Sequence, residues 1–234
     1  VIFICVKEYS LDSVLPFIRQ TAGPRTIIIP ILNIYGTGAR VQKELPDCTV
    51  LDGCIYVSAS LEHPGVLVQH GPILRVVFGS RNPSYISPIL SAIQSDLCES
   101  GIDGVLSTHI QRDALEKFSY VSPIGAAGVY LHAVAGDFQK EGAARELFKS
   151  MIREISTLAA AMGYPFEKDY VKINLEILSN LSADATTSMQ RDIMEGKPSE
   201  LDGLVMEPLR LAKKYSVSMP CYEEVANALC PLEF

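Results

Sequence analysis

Val1-Ile2-Phe3-Ile4-Cys5-Val6 is an unbroken apolar run, and Thr26-Ile27-Ile28-Ile29 is a second one of the same kind. A strand that is apolar at every position, not at alternate ones, is buried on both faces, as in a parallel sheet covered by helices. Between the two runs, Leu11 to Gln20 has helical spacing and ends at the stop Ala22-Gly23-Pro24. Strand, helix, strand in this order predicts a right-handed βαβ unit. A parallel strand buried on both faces needs a neighbour at each edge, so the run at Val1 leads us to expect further chain ahead of it. Cys5, inside that run, reads as a small core residue.

Further along, Gly36 to Leu45 reads as a short helix. Thr49 to Ser58, Val66 to His70 and Leu74 to Phe78 are β-rich, with turn residues at Pro64-Gly65 and Gly71-Pro72. Ser87 to Cys98 reads as a helix and Gly104 to Ser107 as a last short strand. From about Ile110 the texture changes, and six segments have helical patterns: Ala114 to Ala135, Glu141 to Ala161, Tyr170 to Leu181, Thr186 to Glu195, Glu200 to Tyr215 and Tyr222 to Leu229. The expected fold class is α/β followed by all-α, with domains at residues 1–107 and 108–234.

The 234 residues are 48% hydrophobic and 20% charged, the balance of a globular chain. A net charge of -7 with only 20 Lys+Arg disfavours a nucleic-acid partner, whose phosphates demand basic surface. The longest stretch without charge, Phe118 to Gly136, contains Pro123, Gly125, Gly128, His132 and two serines. It is too polar for a spanning helix and predicts a buried one, so no membrane partner is expected. The six cysteines include no CxxC pair and no accompanying His cluster, which argues against zinc. With no basic segment and cleavage site at an apolar run, reduced thiols and a cytoplasmic location are the expectation.

Three places carry candidate chemistry. Lys117 is followed by no charged residue until Asp137. A cation entering an apolar helix either snorkels or has a role. In Thr186-Thr-Ser-Met-Gln-Arg-Asp-Ile-Met-Glu-Gly-Lys-Pro-Ser-Glu-Leu-Asp202, Gly196 and Pro198 end one helix, and Ser199 with Asp202 has the spacing of a capping box for the next. The same junction gathers Ser188, Glu200 and helix N–H groups, a setting suited to a small anion. Lastly, Lys7 and Asn33 each follow an apolar strand, at the carboxyl edge where open α/β sheets bind ligands, though a turn or a first solvated residue accounts for either as well. The glycines of Gly36-Thr-Gly38 do not make a phosphate loop, because no third glycine stands at the needed spacing.

Val6-Lys7, Leu32-Asn33, Glu116-Lys117-Phe118 and Ser188-Met189…Asp192…Glu200-Leu-Asp202 occur in this order. Together they resemble the ketopantoate reductase family along nearly the whole chain. The resemblance implies an incomplete Rossmann-like parallel-sheet domain followed by a helical substrate or dimerisation domain. It implies NADPH as cofactor and a small 2-oxo acid as substrate, ketopantoate being reduced to pantoate for pantothenate and coenzyme A synthesis. On this match Lys117 is the general acid and Glu200 orients the substrate. Ser188 and Asn33 bind substrate, while Lys7 and Asn33 contact the cofactor. A homodimer is compatible with it. The resemblance also implies roughly 65 residues ahead of Val1, carrying the glycine fingerprint of the first βαβ unit.

The chain departs from the family where asparagines usually stand one and two turns past the lysine; here those positions are Val121 and Gly125. The family's two Asn-Gly pairs are Val205-Met206 and Asn33-Ile34. These changes bear on the substrate more than on the reaction type, so a different small 2-oxo acid is an alternative. A truncated, non-catalytic fragment serving as a binding or dimerisation module is another.

Overall fold

Three parallel strands, β1 (Ile2–Ile4), β2 (Ile27–Pro30) and β3 (Thr49–Val50), lie side by side in that order, linked by α1 (Leu11–Thr21) and α2 (Thr37–Glu44). Ile2 stands opposite Ile28, and Ile27 opposite Thr49. The computed structural model describes residues 1–82, 84–85 and 87–229. Within it the chain divides into two units, Val1–Ala114 and Leu115 onward.

In the first unit, β2 has all four residues buried. Its Ile28 packs with Leu11, Leu15, Ile18, Val41 and Leu45 from α1, α2 and the turn after α2. Ile27 and Ile29 face the other way, toward Leu90, Ile93 and Leu97 of α3 (Pro88–Glu99). Helices on both sides are what an all-apolar strand requires, and each such isoleucine contributes about 1.5–3 kcal/mol of burial. Burial of β1 is less complete than the sequence suggests: only Ile4 is buried, and Cys5 is exposed. Among the described residues β1 pairs on one side only, with β2.

At Leu51, whose N–H donates to the Ile28 carbonyl at 2.9 Å, the chain leaves β3 and enters a long ribbon. β4 (Asp52–His63) and β5 (Val66–Gly79) are antiparallel, with Gly65 turning the corner at φ 87°. The second expected turn, Gly71-Pro72, is not a turn. β5 continues through it, and residues 70–73 stand against Ser58 alone in a bulge between the pairs Val57–Leu74 and Ala59–Gln69. Gly71, at φ 79°, supplies the left-handed residue such a bulge uses. β6 (Asp103–Leu106) then pairs parallel with β5.

The second unit has no strand among its described residues. α4 (Ile110–Leu131) begins in the first unit and continues into the second. α5 (Ala135–Gln139), α6 (Ala143–Ala161), α7 (Tyr170–Ser179) and α8 (Ser188–Met194) follow, and then a π-turn (Asp202–Met206) running into α9 (Glu207–Tyr215) and α10 (Pro220–Leu229). α6 turns Phe148, Met151, Ile152, Ile155 and Leu158 into the core at helical spacing. α4 is not ended by Pro123. Proline leaves the carbonyl four residues earlier without its helical donor, and here that carbonyl belongs to Ser119. The Asn174 amide from α7 donates to it at 3.1 Å and to the Ser119 hydroxyl at 3.1 Å. Left unpaired in this buried position, that carbonyl would cost about 1–3 kcal/mol.

Among the described residues no helix is long and apolar enough to cross a membrane, and no cluster of His, Cys, Asp or Glu could hold a metal. Cys48, Cys54, Cys98 and Cys221 are free thiols, as is Cys5; Cys230 lies outside the described residues.

Candidate active site

In the first unit, Lys7 and Asn33 share a level. The register sets Ile4 opposite Pro30 on adjacent parallel strands. Each candidate lies three residues past its member of that pair, beyond the carboxyl edge of the sheet. Both are half-buried there. An ammonium and a carboxamide at this edge are a donor set that fits the phosphate and polar ring substituents of a nicotinamide dinucleotide.

The loop after β2 is held by a buried carboxylate that sequence reasoning missed. Asp52 is 7% exposed. Its Oδ1 accepts from Arg81 at 2.8 Å, its Oδ2 accepts from the Gln111 amide, and the Gly38 N–H bonds to it as well. Tyr35 donates to Gln111 Oε1 at 2.6 Å. Burial pushes the Asp52 carboxyl above its ordinary range, and Arg81, Gln111 and Gly38 oppose that shift. The glycines of Gly36-Thr-Gly38 therefore have distinct tasks. Gly36 takes φ 81° at the start of α2, and Gly38 leaves room for Asp52.

Lys117, Ser188 and Glu200 all belong to the second unit. Lys117 lies on α4 and is half-buried. Its neighbour Glu116 accepts from the Tyr170 hydroxyl at 2.5 Å. Ser188 opens α8, behind a reciprocal cap in which Thr187 Oγ1 accepts from the Gln190 N–H and Gln190 Oε1 accepts from the Thr187 N–H. The Gln190 amide then donates to the Ala133 carbonyl at 2.7 Å, anchoring α8. At the other end Gly196 takes φ 65°. The Lys197 N–H reaches the Asp192 carbonyl and the Gly196 N–H the Ile193 carbonyl, a Schellman termination.

Glu200 is 2% exposed, a buried carboxylate immediately ahead of the π-turn. The expected Ser199–Asp202 capping box does not form: the helical run begins at Leu201 without a side-chain cap. Both Asp202 carboxylate oxygens instead accept from Arg210, at 2.9 and 2.7 Å. That two-point pair is the stronger option for an exposed aspartate.

α8 and the π-turn both meet α4 at Gly125. A Cβ there would stand 3.2 Å from Met189 Cε, beside Ser188, and 3.7 Å from Leu204 Cδ1, four residues past Glu200. Sequence reasoning missed Ser122, Glu154, Asn174 and Tyr222, all buried in this unit. The available signal was Pro123 and Pro208 inside helical patterns, since each proline calls for a side-chain donor elsewhere.

A parallel-sheet unit with polar residues at its carboxyl edge, followed by a helical unit carrying a lysine and a buried glutamate, is the architecture of a group of two-domain oxidoreductases. The sequence patterns described as Ketopantoate reductase PanE/ApbA and Ketopantoate reductase PanE/ApbA C terminal match residues 1–83 and 109–233. The chain belongs to the ketopantoate reductase family. It is 24% identical over 225 residues to an uncharacterized oxidoreductase, YkpB, of Bacillus subtilis, covering 96% of this chain and 74% of that one. Its fold matches 2-dehydropantoate 2-reductase from Geobacter metallireducens with a TM-score of 0.88 at 19% identity, covering 97% of this chain and 75% of the other. A ternary D-mandelate dehydrogenase structure with NADH and anilino(oxo)acetate matches with a TM-score of 0.85 at 19% identity, over 97% and 75%.

Proposed function

We propose that the protein reduces a 2-oxo acid, with ketopantoate to pantoate in pantothenate synthesis as the first reading. In this proposal residues 1–107 bind the dinucleotide, residues 108–234 bind the substrate, and the protein works in the cytoplasm. The observation that carries it is Glu200, a carboxylate 2% exposed in the same helical unit as Lys117. Its position matches the family's acidic residue, and buried acidic side chains of this kind concentrate at functional sites. When bound, a reduced nicotinamide supplies the hydride; NADPH is the form proposed, on the family resemblance.

Lys117 donates a proton to the carbonyl oxygen as negative charge develops there, and its ammonium stabilises that charge. Glu200 accepts a hydrogen bond from the substrate and orients it. Ser188 donates to the substrate carboxylate. Asn33 positions substrate and nicotinamide, and Lys7 meets the cofactor. The test is oxidation of NADPH with ketopantoate by the full-length gene product. Lys117→Ala is expected to lower kcat by about 10²- to 10⁴-fold. An unchanged kcat would remove Lys117 as the acid, and bound NADPH without turnover on any 2-oxo acid would leave the chain a binding module.

A second reading is favoured by Gly125. Met189 and Leu204 fill the space where a side chain would project from α4, two turns past Lys117, and Val121 stands between. Helix face and filler are both apolar. A 2-oxo acid with an apolar side chain suits such a wall better than one bearing a hydroxyl. The similar D-mandelate dehydrogenase, whose structure holds anilino(oxo)acetate, supports that direction.

A further inference from the structure

Pro208 has no N–H, and its ring crowds the carbonyl four residues back, that of Leu204. The chain answers by widening. The Glu207 N–H reaches the Asp202 carbonyl, five residues back, giving the π-turn. Turns of this kind are rare and concentrate at functional sites. The Leu204 carbonyl, in a residue buried from water, is left without its helical donor. The Ser122 hydroxyl from α4 donates to it at 2.6 Å.

Ser122 Oγ also lies 2.5 Å from the Tyr222 hydroxyl. A serine has one proton to give, and a carbonyl can only accept. The direction is therefore fixed: Tyr222 O–H donates to Ser122, and Ser122 O–H donates to Leu204. Burial pushes the Tyr222 phenol up, so that donor stays protonated. Tyr222 is itself held by its backbone. The Glu154 carboxylate of α6 accepts from the Cys221 N–H at 2.8 Å and the Tyr222 N–H at 3.1 Å, capping α10. At the receiving end, the Leu204 N–H donates to the Glu200 carbonyl at 2.9 Å. Leu204 is thus fixed on both sides of one residue, to α4 through its carbonyl and to Glu200 through its N–H.

We propose that Ser122 is a positioning residue for the reaction, setting the height of Glu200 against α4, the helix that carries Lys117 five residues earlier. The inference rests on the roles given above to Lys117 and Glu200. A displacement of about 1 Å at a reacting group can cost about 100-fold in rate. A residue that only filled the core would change the amount of folded protein and leave its turnover alone.

The experiment compares Ser122→Ala, Pro208→Ala and Tyr222→Phe in the full-length protein, with Lys117→Ala and Glu200→Gln alongside. It reads kcat and KM per folded molecule with NADPH and the best 2-oxo acid, and amide exchange across residues 200–206. Ser122→Ala is expected to lose about 10- to 100-fold in kcat with KM within about threefold, and to exchange faster across that segment. Pro208→Ala, which restores the missing N–H and deletes no buried hydroxyl, is expected to lose kcat similarly. Tyr222→Phe keeps the Ser122–Leu204 bond and is expected to stay within about threefold of the parent. Faster exchange with parental kcat in Ser122→Ala overturns the proposal, as does an equal kcat loss in Tyr222→Phe. If Ser122→Ala does not fold, parental kcat in Pro208→Ala overturns it. Failure of the underlying reading is seen separately, as parental kcat in Lys117→Ala and Glu200→Gln.

Discussion

Tyr120 is three residues past Lys117. Its ring meets Phe148 edge-on, with centroids 6.0 Å apart, and its hydroxyl is buried without a hydrogen-bond partner among the described residues. Burial pushes the phenol up to about 12. An unpaired buried hydroxyl costs more than the ring contact needs, so Tyr120→Phe is expected to stabilise the protein by about 1 kcal/mol. The folded value lies above the ordinary one near 10, so the unfolded chain ionises first and the parent loses stability as pH rises from 10 toward 12, a loss the phenylalanine variant escapes. Urea midpoints at pH 7 and pH 10.5 check both points: Tyr120→Phe should exceed the parent at each, by more at the higher pH. At this scale Lys117 stood out in the sequence because no charged residue follows it until Asp137, and the role proposed for it rests on the Lys117→Ala test. Ser122 and Asn174 were not. A serine or asparagine inside a helical pattern carries no sign of the carbonyl it will satisfy, and that carbonyl is defined by a proline elsewhere in the chain.

Elements followed pattern closely where pattern was long. β2, α3, α6 and α7 fall where runs of apolar residues or helical spacing put them, because burial decides such segments. α5 was missed, since five residues are too few to show a period. The Gly71-Pro72 pair was misread because a left-handed glycine beside a proline serves a bulge as well as a turn, and only the partner strand distinguishes them. The Ser199–Asp202 pair failed for a similar reason: Arg210, eight residues past Asp202, took the carboxylate. α2 gives an element-level prediction. A Cβ at Gly38 would stand 1.9 Å from Asp52 Oδ1 and 2.5 Å from the Leu51 carbonyl, so the helix start or the buried carboxylate must move. Gly38→Ala is expected to cost about 3 kcal/mol. Gly23→Ala, with nothing within 4 Å, should change stability by less than about 1 kcal/mol. Urea unfolding of the two variants, matched in every other respect, makes the comparison.

For the molecule as a whole, the class of fold was legible because all-apolar strands and long helical stretches occupy different parts of the chain. The family was legible through a few polar residues in fixed order. The substrate is not read from that order; in the proposed site it depends on what lines α4 past Lys117. If the apolar wall at Val121, Gly125 and Met189 faces the substrate, kcat/KM should favour an apolar 2-oxo acid over ketopantoate. About 1 kcal/mol per missing hydrogen bond makes the preference about fivefold for one contact and about 30-fold for two. A panel running from ketopantoate through 2-oxoisovalerate to phenylglyoxylate measures it. Ketopantoate as the best substrate would return the assignment to the first reading.

The β4–β5 ribbon has a consequence for anyone handling this protein. Its root is locked, with Val76, Val77 and Phe78 buried, whereas near the tip the cross-strand pair Leu61–Leu67 is 65% and 72% exposed. The outer ribbon therefore contributes little to the core, and a change at Pro64-Gly65 is absorbed before it reaches the root. That corner is the natural port for grafting a fluorophore tag or a cleavage sequence, at a distance along the chain from every candidate residue.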